Sequence, residues 1–188
     1  MQPTTIRRQD VLYHDWLLPE ESRQIRIEIR GFVDEHVMPV ADALNTVPES
    51  VEAFPHALFR AMAERGMYGI PFSRDEGGRG LNYPLCAATV AMEELAYASD
   101  GLAAIYDDHC LLPGVALTYG SDDMRRRYLR PLIGGTKVAC MAITEPEAGS
   151  DLSAATVQTR AIRGGDSYVL DGHKRFITNA PVGDFITT

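Results

Sequence analysis

Residues 139–151 read Ala139-Cys140-Met141-Ala142-Ile143-Thr144-Glu145-Pro146-Glu147-Ala148-Gly149-Ser150-Asp151, and at this stretch the pattern of the chain turns from helical to β. The run 138–143 is short and apolar, with Gly134-Gly135 before it and Pro146 after it, which predicts a strand by length and flanks. Pro146 has no N–H to give to a ladder, so the strand must stop and deliver Thr144 into an open loop. There Gly149-Ser150-Asp151 offers a flexible backbone, a hydroxyl and several N–H donors, a setting that can hold a phosphate or pyrophosphate without lysine. A plain turn is the commoner fate of such a tripeptide, and the segment alone does not separate the two readings.

Downstream the pattern stays β. Residues 156–162 alternate, Gly164-Gly165-Asp166 supplies turn chemistry, and Tyr168-Val169-Leu170 leads through Asp171-Gly172 into Lys174-Arg175-Phe176-Ile177-Thr178, which predicts a β-meander. Residues 172–180 read as an edge or hairpin strand ending at Thr178-Asn179. On a strand Phe176 and Thr178 share a face, and a ring beside a hydroxyl can stack on and hydrogen-bond to a planar heterocycle. A core phenylalanine next to a strand-end threonine is the alternative. Phe185-Ile186-Thr187-Thr188 reads as the start of a further strand.

Upstream, apolar positions recur at intervals of three and four, the helical period. After Pro19, residues Ile25, Ile29, Phe32, Val33 and Val37 fall on one helix face that should end near Met38, ahead of Pro39, with Glu20, Glu21 and an arginine-rich face in solvent. A second helix should follow Pro55 (Leu58, Phe59, Met62) and stop at Gly66; a third should bury Leu85, Ala88, Met92, Leu95 and Ala96. The stretch 102–119 contains Pro113 and Gly114, so it is kinked or in two pieces. A fifth helix opens at Ser121-Asp122-Asp123, a hydroxyl cap with first-turn carboxylates, and closes at Gly134-Gly135. Between the second and third helices, Gly77-Gly78-Arg79-Gly80 reads as a loop; a phosphate-cradling role lacks both a preceding β-run and a Gly-Lys-Ser/Thr ending.

Composition bounds the function. The 188 residues carry 18 Lys plus Arg against 26 Asp plus Glu, a formal charge of −8, which argues against nucleic acid as a partner. A hydrophobic fraction of 45% is enough for a sizeable core and sets aside disorder as the general reading. Cys86, Cys110 and Cys140 are odd in number, widely spaced and without metal spacing, which disfavours a disulfide framework or a zinc site and predicts reduced thiols; the expected metal content is none. No apolar h-region opens the chain and no stretch approaches a membrane span, so the expected address is cytoplasmic. His109, between Asp107-Asp108 and Cys110, is read as a paired structural group rather than an acid or base; His14, His36, His56 and His173 carry no constellation.

Taken together, Ala142-Ile143-Thr144-Glu145-Pro146 with Ala148-Gly149-Ser150-Asp151, and Gly172 through Lys174 with Phe176-Ile177-Thr178-Asn179, resemble the two signatures of the acyl-CoA dehydrogenase flavoproteins. Gly77-Gly78-Arg79-Gly80, Met92-Glu93-Glu94-Leu95-Ala96 and Arg127-Tyr128-Leu129-Arg130-Pro131-Leu132 extend the likeness over nearly the whole chain. The resemblance implies an α+β architecture: an all-α domain over residues 1–135, then the first strands of an antiparallel β-barrel-like domain over 136–188, with the family's C-terminal helical bundle not included. It implies FAD, with Met141, Ala142, Ile143 and Thr144 along the pyrimidine edge of the ring. Gly149 and Ser150 would lie near the pyrophosphate, Ser150 also near the thioester ligand. Phe176 stands where many members have tryptophan over the isoalloxazine; Ile177 accompanies it, and Thr178 donates toward flavin N5.

The implied activity is oxidoreduction at CH–CH, the α,β-dehydrogenation of an acyl-CoA thioester in fatty-acid or lipid metabolism. An electron-transfer flavoprotein-like acceptor and a homotetrameric, dimer-of-dimers or hetero-oligomeric assembly come with it. The base of the family lies in its C-terminal helical domain, so the catalytic residue is expected outside this chain, with Glu145 as scaffolding. An ending partway through the β domain leads to the expectation of one piece of a split or cleaved enzyme completed by a C-terminal portion or second chain. A flavin oxidase or monooxygenase of the same fold, or a non-catalytic subunit that has lost flavin, are the alternatives.

Overall fold

The computed structural model describes Arg7, Asp10 and residues 15–48 and 50–188. His14 lies outside the described residues. Helix α1 (Glu20–Phe32) places Glu20 and Glu21 in its first turn, where carboxylates suit the positive helix end, and buries Ile25, Ile29 and Phe32. Past Phe32 the chain stays helical through a wider π turn at Val33–Val37 and a 3-10 turn at Met38–Val40 into α2 (Ala41–Thr46). The end expected near Met38 is therefore a change of pitch. Pro39 sits in a first turn, where its missing N–H has no partner to lose.

Helix α3 (His56–Glu64) is followed by Gly66 in the left-handed region, φ +62°, as the Gly stop requires. Helix α4 (Pro84–Ala98) lies along α1 with Ala87, Ala88, Ala91, Leu95 and Ala98 inward, small side chains that let two helices approach closely. Leu85 and Ala96, expected inside, are exposed. The arginine-rich face of α1 is likewise not solvated: Arg26 and Arg30 are buried against α4. The cause is Glu94, wholly buried at the helix seam, a charge that cannot stay there without cations. Arg30 donates to Glu94 through Nε and Nη2 (3.1 and 2.8 Å) and to Asp10 (2.8 Å to each oxygen), while Arg7 bridges Glu94 and Asp34 (2.7 Å to the latter).

Helix α5 (Asp100–Tyr106) is capped by the Ser99 hydroxyl on Leu102 N–H (3.3 Å), passes through a π turn at Asp107–Leu111, and continues as α6 (Leu112–Thr118). The kink expected from Pro113 is thus met one turn earlier, by a π turn that leaves Pro113 in the first turn of α6. Ser121 caps α7 (Asp122–Met124), and α8 (Arg130–Ile133) closes the helical half before Gly135 at φ +62°. The glycine-rich loop is a brace. Arg79 pairs with Glu28 (2.8 and 2.6 Å) and donates to the Gly66 and Arg65 carbonyls, and Gly78 packs so tightly on the Phe72 carbonyl that a Cβ would lie 2.3 Å from its oxygen.

Strand β1 (Ala139–Met141) is shorter than the 138–143 run and pairs in parallel with β4 (Phe185–Thr187), Cys140 opposite Ile186. Strands β2 (Arg160–Gly164) and β3 (Ser167–Asp171) form an antiparallel hairpin turning at Gly165, φ +63°. The α+β class holds, with a helical half followed by a few strands, but the described strands form two ladders and close no barrel. Residues 156–159 precede β2 instead of belonging to it, because the Glu145 carboxylate takes the N–H groups of Gln158 (2.6 Å) and Thr159 (3.0 Å) that a strand partner would have taken. Residues 174–178 form no strand either: Phe176 has φ +57°, a conformation incompatible with a ladder, so the shared strand face expected of Phe176 and Thr178 does not exist.

Candidate functional site

The two signature segments meet even though only one is partly a strand. Arg175 N–H donates to the Thr144 carbonyl at 3.0 Å, and the Lys174 ammonium reaches the Ile143 carbonyl (2.9 Å) and the Glu145 carboxylate (2.8 Å). Glu145 is buried, and its hydrogen bonds from Lys174, Thr159 and Gln158 hold its pKa down to about 2. It is an anion committed to knitting the loop together, which is the scaffolding role expected of it. Beyond it, Gly149 and Ser150 are exposed; among the described residues nothing takes their N–H groups, and a Cβ at Gly149 would meet open space.

Asn179, at φ +67°, then turns the chain inward and ties this region to the helices: its Nδ2 donates to the carbonyls of Ile105 (3.1 Å) and Ala139 (3.3 Å). The turn pushes the preceding residues outward onto one wall of a cleft of about 770 Å³, whose other walls are α2, the following loop and the start of α5. Phe176, Ile177, Thr178 and Asn179 line it, facing Leu44, Phe54, Ala104 and Ile105 among others. Met141, Ala142, Ile143, Thr144, Gly149 and Ser150 do not line it; of these, Ile143 and Thr144 meet the adjoining segment, through the bonds their carbonyls accept from Lys174 and Arg175. The Phe176 ring is 79% exposed, with the Arg175 guanidinium 4.2 Å from its centroid. It is thus an exposed ring with Arg175 on one face rather than a core residue, and the cleft volume falls in the range of small-molecule sites.

Two features were not read from the sequence. The Asn179 Oδ1 is buried and, among the described residues, without a partner, an acceptor held at the cleft wall. Asp108 is half-buried, and burial raises its pKa; the Thr178 side chain pulls it back down and the neighbouring Asp107 adds to the rise. An Asp-Asp pair on a helix gave no signal, because only the fold brings it to residue 178. His109 does not pair with these acids. Its Nε2 faces the Leu132 carbonyl (3.0 Å) and its Nδ1 accepts from Ala139 N–H (3.1 Å), which assigns a neutral ring protonated at Nε2. Burial lowers its pKa to about 4. Among the described residues no cluster of three or more His, Cys, Asp or Glu is arranged for a metal, and no helix is long and apolar enough to cross a membrane.

The N-terminal domain of acyl-CoA dehydrogenases matches residues 19–136, and the middle domain of the same enzymes matches residues 140–188. The chain belongs to the acyl-CoA dehydrogenase family. It is 38% identical over 169 residues to a 3-(aryl)acrylate reductase of Clostridium sporogenes, covering 89% of this chain and 42% of that one. It is 37% identical over 170 residues to the caffeyl-CoA reductase–Etf complex subunit CarC of Acetobacterium woodii, covering 88% and 42%. A crystal structure of a glutaryl-CoA dehydrogenase from Mycobacterium smegmatis in complex with FADH2 superposes with a TM-score of 0.80 at 25% identity, covering 94% of this chain and 44% of the enzyme. The chain therefore spans about two fifths of the length of the relatives it matches.

An acyl-CoA dehydrogenase is a flavoprotein, and the residues present fit a flavin. An exposed ring for stacking, a hydroxyl two residues on, and a buried unpartnered acceptor belong to residues of one cleft wall, and the backbone N–H groups of Gly149 and Ser150 are without partners among the described residues.

Proposed function

We propose that this chain supplies the flavin-facing wall of an FAD-dependent acyl-CoA dehydrogenase, residues 1–135 as its helical part and 136–188 as part of its β domain. The observation that carries the reading is the wall formed by residues 176–179 in the 770 Å³ cleft, fixed to the Thr144 strand end by the Arg175–Thr144 hydrogen bond. In this reading Phe176 stacks on the ring, with Ile177 beside it. Thr178 faces N5, the strand end at Met141, Ala142, Ile143 and Thr144 borders the pyrimidine edge, and Gly149 and Ser150 take the pyrophosphate, Ser150 also touching the thioester.

The flavin supplies a two-electron acceptor for the substrate β-hydride. The protein residues do the rest. Phe176 would offer the ring a stacking surface, and the apolar side chains of Leu44, Phe54 and Ile105 on the facing walls would exclude water there, which would strengthen hydrogen bonds in the site. Removal of the α-proton needs a general base, a carboxylate in this reading. Glu145 is unfit, being fully occupied and far too acidic, so the base comes from residues other than these. The substrate is an acyl-CoA thioester. The electron-transfer flavoprotein-like acceptor is supported by the Etf complex to which the A. woodii relative belongs. A tetrameric assembly, a C-terminal portion bearing the base, and a cytoplasmic address with reduced thiols complete the proposal.

The test is an anaerobic visible spectrum of the flavin-loaded enzyme carrying these residues, before and after a panel of acyl-CoAs of different chain lengths. Bleaching of the flavin band by at least one saturated thioester is expected. A flavin band that no saturated thioester bleaches, or a protein that takes up no FAD, rejects the reading.

A further inference from the structure

Successive side chains of an extended chain point to opposite sides, so one does not stack on the next. Arg175 and Phe176 are successive, yet the Arg175 guanidinium lies over the Phe176 ring, 4.2 Å from its centroid. The backbone makes this contact possible. Phe176 has φ +57°, a left-handed conformation that a bulky side chain rarely adopts. Strain of this kind persists only where the surroundings hold it, and here both flanks are tied: Arg175 N–H to the Thr144 carbonyl (3.0 Å), and the Asn179 amide to Ile105 and Ala139. Phe176 lines the cleft and Arg175 does not, which puts the guanidinium on the side of the ring turned away from the cleft. Its charge is also uncompensated. The neighbouring Lys174 commits its ammonium to Glu145, whereas among the described residues no carboxylate pairs with Arg175 and no acceptor takes its guanidinium N–H groups.

We propose that Arg175 is a positioning residue that acts through Phe176: held on the outer face of the ring, its charge favours the reduced over the oxidised flavin on the inner face. The inference rests on the flavin reading above and deepens it. A hydride from the substrate β-carbon brings two electrons and one hydrogen to N5, so the neutral oxidised ring becomes an anion, while the α-proton leaves to the base. A cation behind the Phe176 ring attracts that anion and is nearly indifferent to the neutral ring. Stacking is what makes the charge useful. Arginine lies flat on an aromatic face, and the contact holds in one place a side chain that otherwise samples many rotamers. Tighter binding of the reduced than of the oxidised flavin is, by linkage, a raised midpoint potential.

The experiment measures two quantities in the complete flavin-loaded enzyme: the midpoint potential, and the affinity for oxidised FAD by fluorescence quenching. The proteins are wild type, Arg175→Met, Arg175→Gln and Arg175→Lys. All keep the main-chain N–H that holds Thr144, and Arg175→Gln covers the case of a surface methionine that impairs folding. The two neutral variants are expected to lower the ratio of reduced to oxidised flavin about fivefold at a given potential, about 20 mV at about 30 mV per tenfold. Their affinity for oxidised FAD should change far less. Arg175→Lys keeps the charge and should recover most of the potential, which a role in packing alone would not give. Equal potentials in wild type and the neutral variants, or a lysine variant no better than methionine, overturn the proposal. So does oxidised FAD bound several-fold tighter once the guanidinium is gone, because Arg175 would then be occupying the face that the flavin needs. Neutral variants that take up no FAD make Arg175 a cofactor-binding residue and overturn the redox role. Each of these leaves the flavin reading standing; a wild-type protein that takes up no FAD overturns both.

Discussion

At His109 both ring nitrogens are bound to main chain, one to the carbonyl of Leu132 in α8 and the other to the N–H of Ala139 in β1, so the ring joins the two halves of the chain. Its pKa of about 4, against an ordinary 6.5, means that the unfolded chain binds the extra proton between those values. The stability that the neutral ring contributes is fully present above pH 6.5 and is lost as pH falls toward 4, about 3 kcal/mol in all. Urea midpoints of wild type and His109→Gln over pH 4–7 should converge at the acid end, because the variant lacks this slope; curves that stay equally spaced would remove His109 from the acid response. Phe176 is the opposite kind of residue, exposed and touching little. Phe176→Ala should leave the unfolding midpoint unchanged and weaken FAD about tenfold in a fluorescence-quenching titration, the loss of one stacking surface. Phe176→Trp should restore binding.

Among the elements, a glycine shows how local backbone and distant packing coincide. Gly135 has φ +62°, and a Cβ there would lie 2.3 Å from the Cβ of Ala63 at the end of α3. Gly135→Ala meets both the left-handed penalty and a clash, and should cost about 2–3 kcal/mol by chemical denaturation; a cost under about 1 kcal/mol would mean that α3 and the 134–136 turn separate freely. The helices were legible because their apolar residues recur at the helical period, and two of the ends were legible as glycine stops, Gly66 after α3 and Gly135 after α8. Legibility failed where a tertiary partner outweighed the local pattern. The period-two alternation of 156–159 was real, but Glu145 satisfied those N–H groups from the side. Residues 174–178 looked extended, yet Asn179 anchors to Ile105 and Ala139 and the chain reaches it through a positive φ at Phe176. Phe176 and Thr178 were picked from a strand that does not form, and both line the cleft on an irregular backbone instead.

At the scale of the molecule, the helical half is built around a charge. Glu94 has no exposed surface, and the guanidiniums of Arg7 and Arg30 converge on it from a segment far upstream and from α1. Sequence could not show this, since an arginine stripe on an amphipathic helix ordinarily points to water. Removing one partner of such a cluster strands the others, and typically costs about 3–5 kcal/mol. Here Asp10 still pairs with Arg30 and Asp34 with Arg7, so the lower end is expected for Glu94→Gln, about 3 kcal/mol. Arg7→Met should cost less, because methionine fills the space and leaves Glu94 paired with Arg30. In a double-mutant cycle the two changes should couple by about 1–3 kcal/mol, and the coupling should survive 0.5 M salt, since a pair with no solvent between its members is poorly screened. Strictly additive changes, or a coupling that salt abolishes, would place Arg7 at the surface and leave the α1–α4 seam to be held by Arg30 and its alanines alone.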